Sequence, residues 1–350
     1  MASMCQCVSP KPSEWVKGKL VGSGSFGTVH LAMNKSTGGL FVVKSAHSVA
    51  GHGALKKEVE ILKSLNSSPY IVHCLGTEED EGNLNVFMEY MAGGNLADVA
   101  HKFGGSLDED VVRVYTREIL LGLKHLHQHG IVHCDLKCKN VLLGSFGNIK
   151  LADFGCAKRV KELRGGGNVA NSWKSIGGTP LWMAPEVLRS GMLEFAADIW
   201  SLGCTVIEMA TGRPPWANEV SNPMSAVLRI AHGDDIPQFP THFSPEGLDF
   251  LARCLDREPN KRCTVEELLS HPFVSSTTSP KECASSPASV LEFQNFEDTY
   301  DLDELEYSEG NDFSFINSFT YHNDPEGTSI CQLEDSASES SGNWITVRSG

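Results

Sequence analysis

Between His133 and Asn140 the chain reads His133-Cys134-Asp135-Leu136-Lys137-Cys138-Lys139-Asn140, and Asp153-Phe154-Gly155 follows after a segment patterned as a short hairpin. A carboxylate, a carboxamide and two ammonium groups within eight residues, with a second carboxylate one hairpin away, are not the composition of a core. Ahead of them stand a glycine-rich run, Gly22-Ser23-Gly24-Ser25-Phe26-Gly27-Thr28-Val29, and Lys44 closing the strand pattern Phe41-Val42-Val43-Lys44; behind them stands Ala184-Pro185-Glu186. Any one of these runs occurs by chance. All five, in this order and at workable spacing, mark a fold that brings distant stretches of chain to one site.

The residue types suit one chemistry. Moving a phosphoryl group needs its phosphates held, their charge neutralised by Mg²⁺ and an incoming hydroxyl aimed in line. Glycines let backbone approach phosphate closely, and its N–H groups donate to phosphate oxygens. The same glycine spacing marks dinucleotide sites, but those lie between a strand and a helix; here a second strand is expected after the glycines. Lys44 can hold the α- and β-phosphates of ATP, and Glu58, on the next helix, is its expected ion-pair partner. Asp135 is the expected base or orienter of the hydroxyl. Lys137 can neutralise the transferring phosphate, Asn140 can hold a second Mg²⁺, and Asp153 is the expected main Mg²⁺ ligand.

Periodicity places these runs on elements. Leu20–Val29 and Leu40–Ser45 read as strands around a turn, and Leu84–Tyr90 as another strand. Helical spacing covers Ala54–Leu65, Val111–Gln128, the almost wholly apolar Ala197–Thr211, Gly247–Leu255 and Val265–Ser270. Strands first and helices later predict an α+β chain of two lobes, not a wound parallel sheet.

On these residues the chain resembles the eukaryotic protein kinase family over about 14–274. Two further runs, Gly178-Thr179-Pro180-Leu181-Trp182-Met183-Ala184-Pro185-Glu186 and Asp198-Ile199-Trp200-Ser201-Leu202-Gly203-Cys204-Thr205-Val206-Ile207-Glu208-Met209, resemble the MEKK-like MAP kinase kinase kinases. Trp15-Val16-Lys17-Gly18 and His133-Cys134-Asp135 look most like their short plant members. The resemblance implies a bilobal fold, with a small, mainly β N-lobe (14–90) and a larger, mainly α C-lobe (91–274). It implies an ATP- and Mg²⁺-dependent serine/threonine kinase that phosphorylates MAP kinase kinases. By position it implies that Val21, Val29 and Leu142 enclose adenine, that Met88 is the gatekeeper, that Glu89 and Met91 offer backbone hydrogen bonds, and that Asn95 lies near the ribose. The glycine-loop residues Gly22, Ser23, Gly24, Ser25, Phe26 and Gly27 complete the nucleotide site. Asp198 would brace the catalytic loop, Glu186 would pair with Arg262, and Lys137 with Thr179 are choices of the serine/threonine type.

Three positions depart from the family pattern. Cys134 replaces the arginine that normally grips a phosphate on the activation loop, which predicts weak dependence on phosphorylation at Ser172 and Ser175; Lys158 can still contact a phosphate. Val42 stands where a smaller alanine usually lies beneath adenine, which predicts crowding and a higher KM for ATP. Lys139 stands where kinases that prefer basic substrates carry Glu, and its charge should repel arginine upstream of the acceptor.

The net charge of −15 carries no basic footprint for nucleic acid, and its distribution is uneven. From Lys281 to Gly350 there are 15 acidic and 2 basic residues, a net of −13, which leaves −2 for the rest. The chain therefore divides into a leader (1–13), a nearly neutral domain (14–274) and an acidic tail (275–350) expected to be disordered. That tail is either a solvated extension or a docking segment for regulators. No apolar run approaches the ~20 residues that span a bilayer, and the start lacks a signal-peptide core. Eleven cysteines without a framework spacing suit reduced thiols in the cytoplasm or nucleus. A pseudokinase scaffold that binds partners through the tail is the rival reading; it would be expected to lack some of Lys44, Glu58, Asp135, Asn140 and Asp153.

Overall fold

The computed structural model describes residues 14–24, 27–46, 48–65, 68–80, 83–160, 177–190, 193–217 and 223–275. Its first strands are β1 (Trp15–Gly24), β2 (Gly27–Asn34), β3 (Leu40–Ala46), β4 (Cys74–Asp80) and β5 (Asn83–Glu89). They form one antiparallel sheet in the order β1-β2-β3-β5-β4. The register sets Val29 opposite Lys44, Lys44 opposite Val86, and Val42 opposite Met88. Side chains alternate along a strand, so these five share one face. The other face carries Ala32, Phe41, Val43 and Phe87, a separate core on which Trp15 and Leu75 pack. Trp15, Phe41 and Phe87 meet edge to face at 5.7–6.2 Å, worth about 0.5–1.5 kcal/mol per pair beyond the area buried. The Trp15 run therefore has a packing role of its own.

The segment Leu20–Val29 is a hairpin and not a single strand. Gly24 pairs with Gly27 at its tip, and Gly27 has φ +147°, where a Cβ would run into the Ser45 carbonyl oxygen. Only glycine fits there. Helix α1 (Val49–Ser64) begins before the predicted Ala54, because the Ser48 hydroxyl accepts the Gly51 N–H at 3.1 Å and caps it. Gly51 and Gly53, poor helix formers, hide that first turn in the sequence. Strand β4 was not expected either. It lies at the sheet edge and reads Cys-Leu-Gly-Thr-Glu-Glu-Asp, so beyond Leu75 it lacks the apolar alternation of a covered strand.

The second lobe is mainly helical: α2 (Leu96–Lys102), α3 (Glu109–Gln128), α4 (Pro185–Ser190), α5 (Phe195–Thr211), α6 (Pro223–His232), α7 (Pro245–Cys254), α8 (Val265–Leu269) and α9 (Pro272–Ser275). Thirteen of the 17 residues of α5 are buried, as its all-round apolar sequence requires. The helix ends at Gly212, which adopts φ +65°. The guanidinium of Arg262 donates to both oxygens of Glu186, each at 2.7 Å, and lies over the Trp200 ring. This buried fork ties the Ala184-Pro185-Glu186 run to the end of the domain.

Short strands carry the dense polar segment. β6 (Gly94–Asn95), β8 (Val141–Leu143) and β9 (Ile149–Leu151) form one small sheet; β7 (Ile131–Val132) and β10 (Lys158–Arg159) form another. Residues 133–140 are thus slung between β7 and β8, and the β8–β9 hairpin delivers Asp153.

Candidate active site

Strand β3, helix α1 and the turn after β9 converge on Lys44. Its Nζ donates to Glu58 Oε2 at 2.7 Å and to Asp153 Oδ1 at 2.7 Å. Lys44 and Glu58 are both buried, at 8% and 1% exposure. Burial alone would lower the pKa of Lys44, but the carboxylates of Glu58 and Asp153 outweigh it and raise it, so the amine stays charged. For Asp153 burial pushes upward and the Lys44 ammonium prevails, leaving it below the ordinary carboxylate range. Burial raises Glu58 against the pull of Lys44; the 2.7 Å contact and the upward shift of Lys44 itself favour the ionised pair. The Phe154 N–H donates to the other Glu58 oxygen at 3.3 Å, so α1 also grips the turn that follows Asp153. Asp153 itself adopts φ +63°.

The second cluster lies on the loop after β7. The Asn140 amide donates to the Asp135 carbonyl at 2.7 Å and to Asp135 Oδ2 at 3.0 Å. Lys137 Nζ donates to Thr179 Oγ1 at 2.6 Å, and Thr179 Oγ1 donates in turn to Asp135 Oδ1 at 2.6 Å. Lys137 Nζ also stands 3.4 Å from Asp135 Oδ2. Asp135, Lys137 and Thr179 thus close a ring. Thr179 can reach it because Gly178, at φ +110°, lies against the Cys134 carbonyl, where a Cβ would come within 2.6 Å.

Asp198, fully buried on α5, holds the start of this loop. Its Oδ2 accepts the His133 N–H at 2.9 Å and its Oδ1 accepts the Cys134 N–H at 3.1 Å. Cys134 sits at φ +70°, a strained conformation for a residue with a Cβ, and the two bonds keep it there. His127, at the end of α3, adds a third contact to Asp198 at 2.9 Å. His127 escaped the sequence reading because nothing local in its run points toward residue 198.

The expected nucleotide wall lies on β1, β2, β5 and β8. Val29 and Leu142 are half-buried, Val21 is exposed, and Met88 and Met91 are buried. The Glu89 N–H is committed to the His73 carbonyl at 3.1 Å, so Glu89 can offer a base only its carbonyl. Its side chain is held by Lys150 at 2.6 Å and by the His73 N–H at 2.7 Å. Asn95 caps α2, accepting the Asp98 N–H at 3.0 Å and donating to Asp98 Oδ2 at 2.7 Å. Val42 faces Met88 across the ladder, and Lys158 lies in β10. Ser25, Phe26, Ser172 and Ser175 lie outside the described residues, as do the leader and the tail beyond Ser275.

The donor set fits the groups that the sequence implies. Around Lys44 there are two carboxylates for one ammonium, and Asp153 with Asn140 supplies the hard oxygen atoms that Mg²⁺ takes. The glycine hairpin pairs, through its second strand, with the strand that carries Lys44, Val29 lying opposite Lys44. This architecture, a five-stranded sheet with one helix set over a helical lobe and a Lys–Glu–Asp cluster at the seam, is that of the protein kinases. The family model "Protein kinase domain" matches residues 15–274.

The chain belongs to the protein kinase family. It is 46% identical over 270 residues to mitogen-activated protein kinase kinase kinase 3 of Arabidopsis thaliana, an alignment covering 74% of this chain and 40% of that protein. It is 42% identical over 273 residues to mitogen-activated protein kinase kinase kinase 20 of the same plant, covering 75% and 78%. A Dictyostelium discoideum relative, mitogen-activated protein kinase kinase kinase A, is 40% identical over 278 residues, covering 77% and 29%. The chain spans about two fifths of the length of the first curated relatives that it matches. Among the described residues no helix is long and apolar enough to cross a membrane.

Proposed function

We propose that this chain is an ATP- and Mg²⁺-dependent serine/threonine protein kinase of the MAP kinase kinase kinase type, with MAP kinase kinases as substrates. The observation that carries the reading is the pair of clusters: Lys44 at 2.7 Å from both Glu58 and Asp153, beside the ring of Asp135, Lys137 and Thr179. A scaffold without catalysis has no need of either.

In this reading Lys44, fixed by Glu58, holds the α- and β-phosphates. Asp153 and Asn140 would hold Mg²⁺, which would supply positive charge to offset that of the phosphates. Asp135 aims the acceptor hydroxyl and takes its proton. Lys137, 3.4 Å from Asp135 Oδ2, supplies positive charge to the transferring group. Val21, Val29, Leu142 and Met88 shape the adenine pocket; the Glu89 carbonyl and the Met91 N–H hydrogen-bond the base, and Asn95 borders the ribose. Thr179 in the ring with Lys137 favours serine and threonine over tyrosine. A cytoplasmic or nuclear location and regulators docking on the acidic tail belong to the same proposal.

Phosphoamino-acid analysis of a protein labelled by the purified chain tests it. Phosphoserine and phosphothreonine are expected. Phosphotyrosine alone, or transfer to a small metabolite in place of protein, contradicts it.

A further inference from the structure

Two thiols of the second lobe take no part in the chemistry above and lie side by side. Cys254 is the last residue of α7 and is fully enclosed; Cys263, just ahead of the Thr264 that caps α8, is half-buried. The Cys263 N–H donates to the Arg253 carbonyl at 3.3 Å. That carbonyl is bonded to the Cys254 nitrogen, so the two cysteines are neighbours across the link between α7 and α8. Both flanks of Cys263 are fixed. Arg262 before it is held in the fork with Glu186, and the Thr264 hydroxyl after it accepts the Glu267 N–H at 3.3 Å. A backbone fixed on both sides keeps Cys263 beside Cys254.

The two thiols differ in their surroundings. Arg253 donates to Asp249 Oδ2 at 2.9 Å and to the Cys263 sulfur; these contacts, Asp249 first, hold its guanidinium above the ordinary range. Thiols that react with oxidants are accessible and lie beside a cation, and Cys263 meets both conditions. Cys254 faces no solvent. Burial raises its thiol well above the ordinary range, and charge at Cys263 and then at Cys204 adds to the effect. It stays protonated and out of reach of an oxidant until Cys263 has reacted. Cys74 and Cys134, also half-buried, aim their thiols at the Gly76 and Val132 carbonyls instead.

We propose that Cys254 and Cys263 are a peroxide-reactive thiol pair, with Cys263 as the attacking sulfur and Cys254 as the resolving one. The Cys263 sulfur attacks one oxygen of hydrogen peroxide. The O–O bond breaks, and the departing hydroxide takes the thiol proton and leaves as water. Cys263 then carries a sulfenic acid. The Cys254 sulfur attacks the Cys263 sulfur, the S–O bond breaks, and the hydroxide leaves with the Cys254 proton as a second water. Two thiols are oxidised to one disulfide, and one peroxide is reduced to two waters. The disulfide joins the end of α7 to the start of α8, and a dithiol reductant reopens it.

The test treats the reduced full chain with hydrogen peroxide, blocks the remaining thiols by alkylation and maps disulfides by mass spectrometry of a non-reducing digest. The expected result is a pair of peptides joined through Cys254 and Cys263, lost on reduction. This map is made on the wild-type chain and does not depend on a variant that folds. In Cys254→Ala the pair is expected to be absent and a sulfenic-acid trapping reagent to label Cys263. Arg253→Ala, a change to an exposed side chain, is expected to slow loss of the Cys263 thiol by more than about threefold. Cys263 left as a free thiol while other cysteines oxidise, Cys263 joined to Cys5, Cys7, Cys283 or Cys331, a Cys204–Cys254 link in its place, or an unchanged rate in Arg253→Ala would each overturn the proposal. None of these measurements depends on phosphoryl transfer, so failure of the kinase reading would leave their outcome unaffected.

Discussion

The ammonium of Lys44 lies 2.7 Å from Glu58 Oε2, and both side chains are almost fully enclosed. Lys44 comes from a central strand and Glu58 from the helix packed on that strand's face, so the pair also locks α1 to the sheet. Breaking a buried pair by removing one partner costs about 3–5 kcal/mol, whereas replacing both with apolar groups is often neutral. Lys44→Met is therefore expected to abolish phosphoryl transfer and to lower Tm by about 10 °C. Combining it with Glu58→Leu should restore most of the lost Tm and none of the activity. Calorimetry on the three proteins checks this; an unchanged Tm in Lys44→Met would contradict the pairing.

Stability is expected to fall on the alkaline side. Burial raises the thiols of Cys134, Cys138, Cys204 and Cys254 well above the ordinary range and pushes Cys156 up to about 12. A group whose folded pKa is raised holds its proton longer in the folded chain than in the unfolded one. Its contribution is fully present below the unfolded pKa and is lost as pH rises through the folded value. Lys44, also raised, acts in the same direction higher up. Tm should be level near neutral pH and decline from about pH 8.5, where unfolded thiols begin to ionise, with a shallower decline in Cys138→Ala. A flat profile to pH 11 would contradict it.

The dense motifs were legible because each keeps its chemistry in consecutive residues: Asp135, Lys137 and Asn140 are spaced for one loop, and Asp153 follows one hairpin later. Lys44 and Glu58 could be matched because a strand and the next helix carry them. What the sequence hid depends on long-range contact. Nothing near His127 names Asp198 as a partner, and the Lys137–Thr179 bond spans 42 residues. Boundaries failed where glycine masks a pattern, as in the first turn of α1 and the tip of the β1–β2 hairpin, and at β4, whose polar edge position removes the alternation that marks a strand.

Cys134 bears on regulation. Its backbone is fixed by Asp198, and its thiol lies 3.4 Å from the Val132 carbonyl. A thiol cannot offer a phosphate the fork that arginine does. Changing Ser172 and Ser175 together to Ala is expected to leave most of the activity. A near-total loss in a kinase assay would show that another group, such as Lys158, holds a loop phosphate.

Lys139 is exposed beside the catalytic loop. Like charges brought together on binding cost several kcal/mol in close cases. A peptide with arginine upstream of its acceptor should be a poorer substrate than its alanine counterpart, and Lys139→Glu should narrow or invert the preference. Equal use of both peptides by the wild-type chain would contradict this.

The central claim is tested most directly by transfer of labelled phosphate from ATP–Mg²⁺ to a catalytically inactive MAP kinase kinase, with the purified chain and its Asp153→Ala variant side by side. The account predicts labelling by the wild-type chain and none by the variant. Nucleotide binding without labelling of any protein would contradict catalysis and leave a scaffold in its place.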